Sequence, residues 1–255
     1  MAMALNPMEQ FEVKPLIERP LFEIGGHPIF FTNQALLMLI VTIAASLFLT
    51  LAMSRRALVP GRAQSMAEMS YEFVAGMLNS AAGQDGLKFL PFVFTLFIFV
   101  LFSNFFGMIP GSFTVTSQIA VTFALASLVI LTVIVVGFIK HGFGFLMLFV
   151  PKAPIYLLPL LMLIEFISFC TRPISLSVRL FANMLAGHTM LAVFGGFVVM
   201  LGAAGGVLSV LSIAPMFLIV AIMLLEFLVA FLQAYVFAIL TCIYLNEALH
   251  LHDHH

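Results

Sequence analysis

Glu165, Arg172 and Arg179 recur at seven-residue intervals inside an apolar run, and Glu226 and Gln233 repeat the interval in another. Seven residues are close to two helical turns, so each set lines one stripe if its segment is helical. Ser175 and Asn183 flank Arg179 at i−4 and i+4. An acid, a permanent cation and an amide then share about 27 Å of one helix face. Tyr244 falls near the stripe of Glu226 and Gln233, while His188, nine residues past Arg179, points to the opposite face of its own segment. Antiparallel packing of the two segments would bring Glu226 towards His188. Both bind and release protons, and amide side chains between such groups extend a proton path. The bland alternative is a buried structural pair.

Arginine does other work, because it cannot shed its charge. A fixed cation in such a path stops a proton from running straight through. It also attracts a carboxylate and favours its ionised form. No carboxylate lies within reach of Arg179 in sequence, since Glu165 is about four helical turns away. The partner acid is therefore expected on another chain. Arg172 reads as a structural or lipid-facing anchor.

These residues need apolar helices to carry them. Of 255 residues, 63% are hydrophobic and 8% charged, where a soluble domain is about a quarter charged. The composition predicts an all-α polytopic membrane protein. Formal net charge is −1, which argues against a nucleic-acid partner. Cys170 and Cys242 lie in apolar stretches and read as reduced core residues. The first thirty residues, with Glu9, Glu12, Glu18 and Glu23, lack a basic start and apolar run of signal-peptide type.

A spanning helix needs roughly 20 apolar residues. Five spans are expected, at about 32–53, 87–110, 119–139, 156–201 and 211–246. Residues 1–31 form an amino-terminal segment, and 32–255 a single membrane domain. In 60–83, Met66, Met69, Phe73 and Met77 fall at helical spacing, with Glu68 and Glu72 elsewhere. This is an amphipathic helix lying on the membrane surface, or a connector packed on the protein. The last two spans are too long to stand upright and read as a tilted hairpin. Pro173 is expected to kink the first of them, and Gly195, Gly196, Gly202, Gly205 and Gly206 to mark the turn. Placing Arg55, Arg56, Arg62, Lys88, Lys140 and Lys152 inside puts the amino terminus outside and the carboxyl terminus in the cytoplasm. The tail from His250 to His255 reads as a solvated end, not a metal site. No cofactor is expected.

The stretches RPISLSVRLFANMLAGH (172–188) and LLEFLVAFLQAYVFAILTCIYLNEA (224–248), supported by SNFFGMIPGSFTVTSQ (103–118), resemble subunit a of F-type ATP synthases. The resemblance covers nearly the whole chain. It implies a proton-translocating, non-catalytic subunit of the membrane sector, beside a ring of c subunits, with the b stalk and other subunits as partners. It implies that Arg179 faces the ring carboxylates and separates two half-channels. Asn183, His188, Glu226 and Gln233 match the outer channel, and Glu165 and Ser175 the inner; Tyr244 joins this proton-translocation set by its place on the second stripe. Some family members carry the acid and the histidine exchanged between the two helices, which implies that they work as a pair. The pair favours H⁺ over Na⁺ as the ion.

No Walker-type glycine loop occurs, so nucleotide chemistry belongs elsewhere. A bacterial inner membrane is expected, since no import segment precedes the first span; a mitochondrial inner membrane is the alternative. The rival reading, a stand-alone secondary transporter, expects repeats that the two halves do not show. A purely structural scaffold leaves the charged stripe without a purpose.

Overall fold

The computed structural model describes residues 12–16, 22–24, 27–54, 60–109, 114–150 and 156–250. Glu9, Glu18, Arg19, Arg55, Arg56, Pro110, Gly111, Ser112, Lys152 and the tail beyond His250 lie outside these residues. Seven helices follow one another: α1 (Asn33–Ala52), α2 (Arg62–Gly86), α3 (Leu90–Gly107), α4 (Ile119–His141), α5 (Leu158–Ala204), α6 (Gly206–Leu211) and α7 (Ile213–Leu249). A 3₁₀ turn joins α2 to α3, and another, Gly142–Phe149, follows α4. Among the described residues, five helical stretches are long and apolar enough to cross a membrane: Asn33–Ala52, Arg62–Gly107, Ile119–Leu146, Leu158–Ala204 and Ser209–Leu249.

The hydroxyl groups in these helices turn back on their own backbone. Thr42 donates to Met38 O, Thr95 to Pro91 O, Thr132 to Leu128 O and Thr241 to Phe237 O, all at 2.7–2.8 Å. Such bonds satisfy a polar side chain without water, which an apolar surrounding requires. At the start of α1, Thr32 Oγ1 accepts from Ala35 N at 3.3 Å. Asn33 Oδ1 accepts from Gln34 N at 2.9 Å. They cap donors that the first turn leaves open. A small antiparallel pair, β1 (Phe22–Ile24) with β2 (His27–Ile29), precedes it. Runs of three residues carry too little periodicity to announce a strand, so this pair is not legible from residue pattern alone.

One sequence expectation is corrected. Gly195, Gly196 and Gly202 do not mark a turn, because α5 runs through all three to Ala204. A glycine inside a helix costs only about 1 kcal/mol, which a long apolar helix absorbs. The turn comes at Gly205 and Gly206, whose φ of +70° and +61° favours glycine. Helix α5 runs on through Pro173. In α2, Met66 and Met69 are exposed, while Gln64, Ala67, Val74, Met77, Leu78 and Ala82 are buried.

The chain divides into two compact units, each drawn from segments distant in sequence. The first comprises Met1–Ser46, Phe99–Gln118 and Leu180–Gln233. In it Asn104 Nδ2 donates to Ala230 O at 3.1 Å, and Phe105 stacks on Phe227 with ring centroids 5.1 Å apart. The second comprises Leu47–Ile98, Ile119–Arg179 and Ala234–His255. Its core includes Val74, Val93, Phe97, Val129, Phe237 and Leu245. The Thr122 and Ser177 hydroxyls pair at 3.1 Å, and Phe73 meets Phe97 and Tyr235. At one end of this unit exposed Asp85 accepts from Lys88 at 3.2 Å and faces Lys140 at 3.7 Å.

Gly137 in α4 faces the buried ring of Phe145, and a Cβ there would stand 2.3 Å from ring carbons. Gly137→Ala must displace the ring or the backbone. The expected cost is about 1–3 kcal/mol, read as a lower thermal midpoint in detergent. An unchanged midpoint would mean that the ring swings aside freely.

Candidate functional site

Two polar clusters stand out, one inside each unit. In the first unit, α5 supplies His188 and α7 supplies Glu226. His188 Nε2 and Glu226 Oε1 lie 3.4 Å apart, with side chains 12% and 6% exposed. Glu226 Oε1 has no hydrogen-bond partner among the described residues. The close approach depends on Gly187: a Cβ at that position would come within 2.8 Å of Glu226 Oε1. Glycine here is a matter of space for the carboxyl group.

Around the pair lies a shell of buried small polar residues. Thr114 Oγ1 sits 3.2 Å from His188 Nε2 and 3.4 Å from Gly107 O. Ser117 donates to Thr114 O at 2.6 Å, and Thr116 donates to Asn104 Oδ1 at 3.0 Å. Asn104 in turn holds Ala230 O, one helical turn past Glu226 on α7. The backbone of α7 next to the acid is thus pinned by a side chain of α3. Asn183 and Gln233, also in this unit, are half-buried, and neither side chain hydrogen-bonds among the described residues.

The second unit holds the other cluster. Arg172, 15% exposed, forms an ion pair with Glu247 of α7 and lies 3.9 Å from Glu165. Its guanidinium stacks over the rings of Tyr244 at 5.0 Å and Phe169 at 5.6 Å. Arg172 is therefore not a lipid-facing anchor: it bridges α5 to α7 and is shared by two carboxylates. Planar, permanently charged arginine suits both the acid and the aromatic contact.

Arg179 is in a different setting. It is exposed, and no ion pair or hydrogen bond engages it among the described residues. Exposed Ile174, Ser175 and Val178 precede it on α5. The seven-residue stripe thus divides by environment: Arg172 is largely buried and ion-paired, while Arg179 is exposed.

Thr114, Thr116, Ser117, Asn104 and Glu247 had no assigned role in the sequence. The polar letters of SNFFGMIPGSFTVTSQ were the available signal, and Glu247 follows Tyr244 by three residues. Chemically, the first cluster can pass a proton between two facing side chains, and the second can fix a charge between helices. No group of three or more metal-ligating side chains occurs among the described residues.

The ATP synthase A chain family profile matches residues 35–246. The chain is 60% identical over 249 residues to "ATP synthase subunit a" of Chelativorans sp. (strain BNC1), covering 97% of this chain and 99% of the relative. It is 59% identical to that of Mesorhizobium japonicum, covering 96% and 97%. For that of Maricaulis maris the identity is 58%, again over 96% and 97%.

Removing Glu247 leaves a largely buried guanidinium with only the looser Glu165 contact. Glu247→Ala is expected to lower stability by about 1–3 kcal/mol. A double-mutant cycle with Arg172→Ala, read by thermal unfolding in detergent, checks this; additive losses would show that the pair is not coupled.

Proposed function

Because the chain belongs to the ATP synthase A chain family, we propose that it is the membrane-sector subunit that couples proton flow to rotation of a ring of c subunits. The observation that carries this reading is Arg179: an exposed cation on an apolar helix face, with no ion pair among the described residues. In hydrocarbon such a charge costs about 2.5–3.5 kcal/mol on insertion scales. A carboxylate on the facing ring offsets that cost, and only while it is ionised.

The mechanism follows from the division of labour among the side chains. A proton enters from outside past Glu226, His188, Asn183 and Gln233 and neutralises a ring carboxylate. The neutral site moves into lipid. On reaching the other channel it gives its proton up past Glu165, with Ser175 and Tyr244 alongside, and returns as an anion to Arg179. The fixed charge of Arg179 prevents a proton from crossing between the channels without turning the ring. The close His188–Glu226 approach supports a hand-over on the entry side. Nucleotide chemistry lies on other subunits, and the b stalk is a further partner.

Residues 32–255 form one domain in a bacterial inner membrane. The amino terminus is outside and the carboxyl terminus cytoplasmic, with α2 at the surface and the last two long helices steeply tilted. The exposed methionines of α2 support its surface placement.

The test uses inverted membrane vesicles with the assembled complex. Arg179→Ala is expected to abolish ATP-driven proton pumping and to raise passive leak once the soluble ATPase is stripped. Pumping at the native rate would sink the mechanism. In the same vesicles Gly187→Ala, which pushes on the Glu226 carboxyl group, is expected to slow pumping about tenfold to a hundredfold. Native pumping by that variant would show that the carboxyl position is not critical.

A further inference from the structure

We propose that the Thr114 hydroxyl is a positioning group for proton exchange between His188 and Glu226, turning its single hydrogen to suit whichever of them holds the proton. This rests on the proton-path reading above.

Among the described residues, two side-chain oxygens approach one ring nitrogen of His188. His188 Nε2 faces Thr114 Oγ1 at 3.2 Å and Glu226 Oε1 at 3.4 Å. Thr114 is 2% exposed, so water does not compete freely for its hydroxyl. A hydroxyl has one hydrogen and two lone pairs. The second neighbour of Thr114 Oγ1 is Gly107 O, at 3.4 Å, which can only accept.

Two arrangements satisfy these atoms. In one, Nε2 carries the proton and Glu226 is ionised. Thr114 then donates to Gly107 O and offers a lone pair to Nε2–H. In the other, the proton is on Glu226 and Nε2 is bare, so Thr114 rotates and donates to Nε2. With Nδ1 protonated throughout, the first state is imidazolium beside carboxylate and the second imidazole beside carboxylic acid. On transfer the Nε2–H bond breaks and a Glu226 O–H bond forms. The Thr114 O–H bond rotates and never breaks. Each state keeps a partner for Nε2, so neither is penalised by an unsatisfied buried nitrogen.

The position is held for this purpose. Ser117 donates to Thr114 O, fixing the backbone. The Thr114 methyl group occupies space that Gly107 leaves open: a Cβ there would lie 2.7 Å from Thr114 Cγ2. Packing and hydroxyl can therefore be separated by substitution. Thr114→Val keeps the shape and removes the hydroxyl. Thr114→Ser keeps the hydroxyl and removes the methyl.

The experiment measures passive proton conductance of stripped vesicles and ATP-driven pumping by the whole complex, for both variants and for His188→Ala. Complex content is checked by immunoblot. The expected result is that valine slows conduction about fivefold, the worth of one neutral hydrogen bond, while serine conducts at close to the native rate. Native conduction by the valine variant, with His188→Ala inactive, overturns this inference and leaves the proton path standing. A loss confined to serine, or equal in both, overturns it in favour of packing. Native conduction by His188→Ala overturns the proton-path reading and this inference with it.

Discussion

A polar group among apolar helices must find its partner within the protein, because water is not there to supply one. Most of what distinguishes this chain follows from that constraint. The threonines of the long helices satisfy it locally, by bonding to a carbonyl three or four residues back. The shell around His188 satisfies it across elements, with Asn104 bonded to Ala230, Thr116 to Asn104 and Thr114 facing His188, while Ser117 bonds locally to Thr114. The Arg172 cluster satisfies it with charge. Where the rule is left open, at Glu226 Oε1 and at Arg179, the chain keeps groups that can take up a proton or a counter-ion.

The two arginines show how one residue type serves opposite ends. Arg172 has acids and aromatic rings on several sides, and it ties α5 to α7. Arg179, two turns further along, has exposed aliphatic side chains around it. Seven-residue spacing does not guarantee a common environment. The same spacing let sequence reasoning treat them as one stripe, although it assigned them different roles.

The apolar runs made the long helices legible, since about 20 uninterrupted apolar residues leave few alternatives to a helix. Gly205 and Gly206 were legible as a turn, but Gly195, Gly196 and Gly202 looked the same and are helical. Glycine permits a turn and does not compel one. The contact of Arg172 with Glu247 joins residues 75 apart, and that of Thr114 with His188 joins residues 74 apart. No local period encodes such a pairing. It depends on which faces of two helices meet, and small residues such as Gly187 decide that by volume.

The exposed guanidinium of Arg179 is a point of local frustration, since an aliphatic residue there would suit its own helix better. That disadvantage has a use. Folding has already stripped most competing polar neighbours from this cation, so a carboxylate that meets it need not displace them. On the proposed reading, membrane insertion rather than the encounter carries the cost of taking this cation out of water. Arg179 is in this sense preorganised: the helix bears a standing cost so that pairing and unpairing can follow the charge state of the visiting group alone.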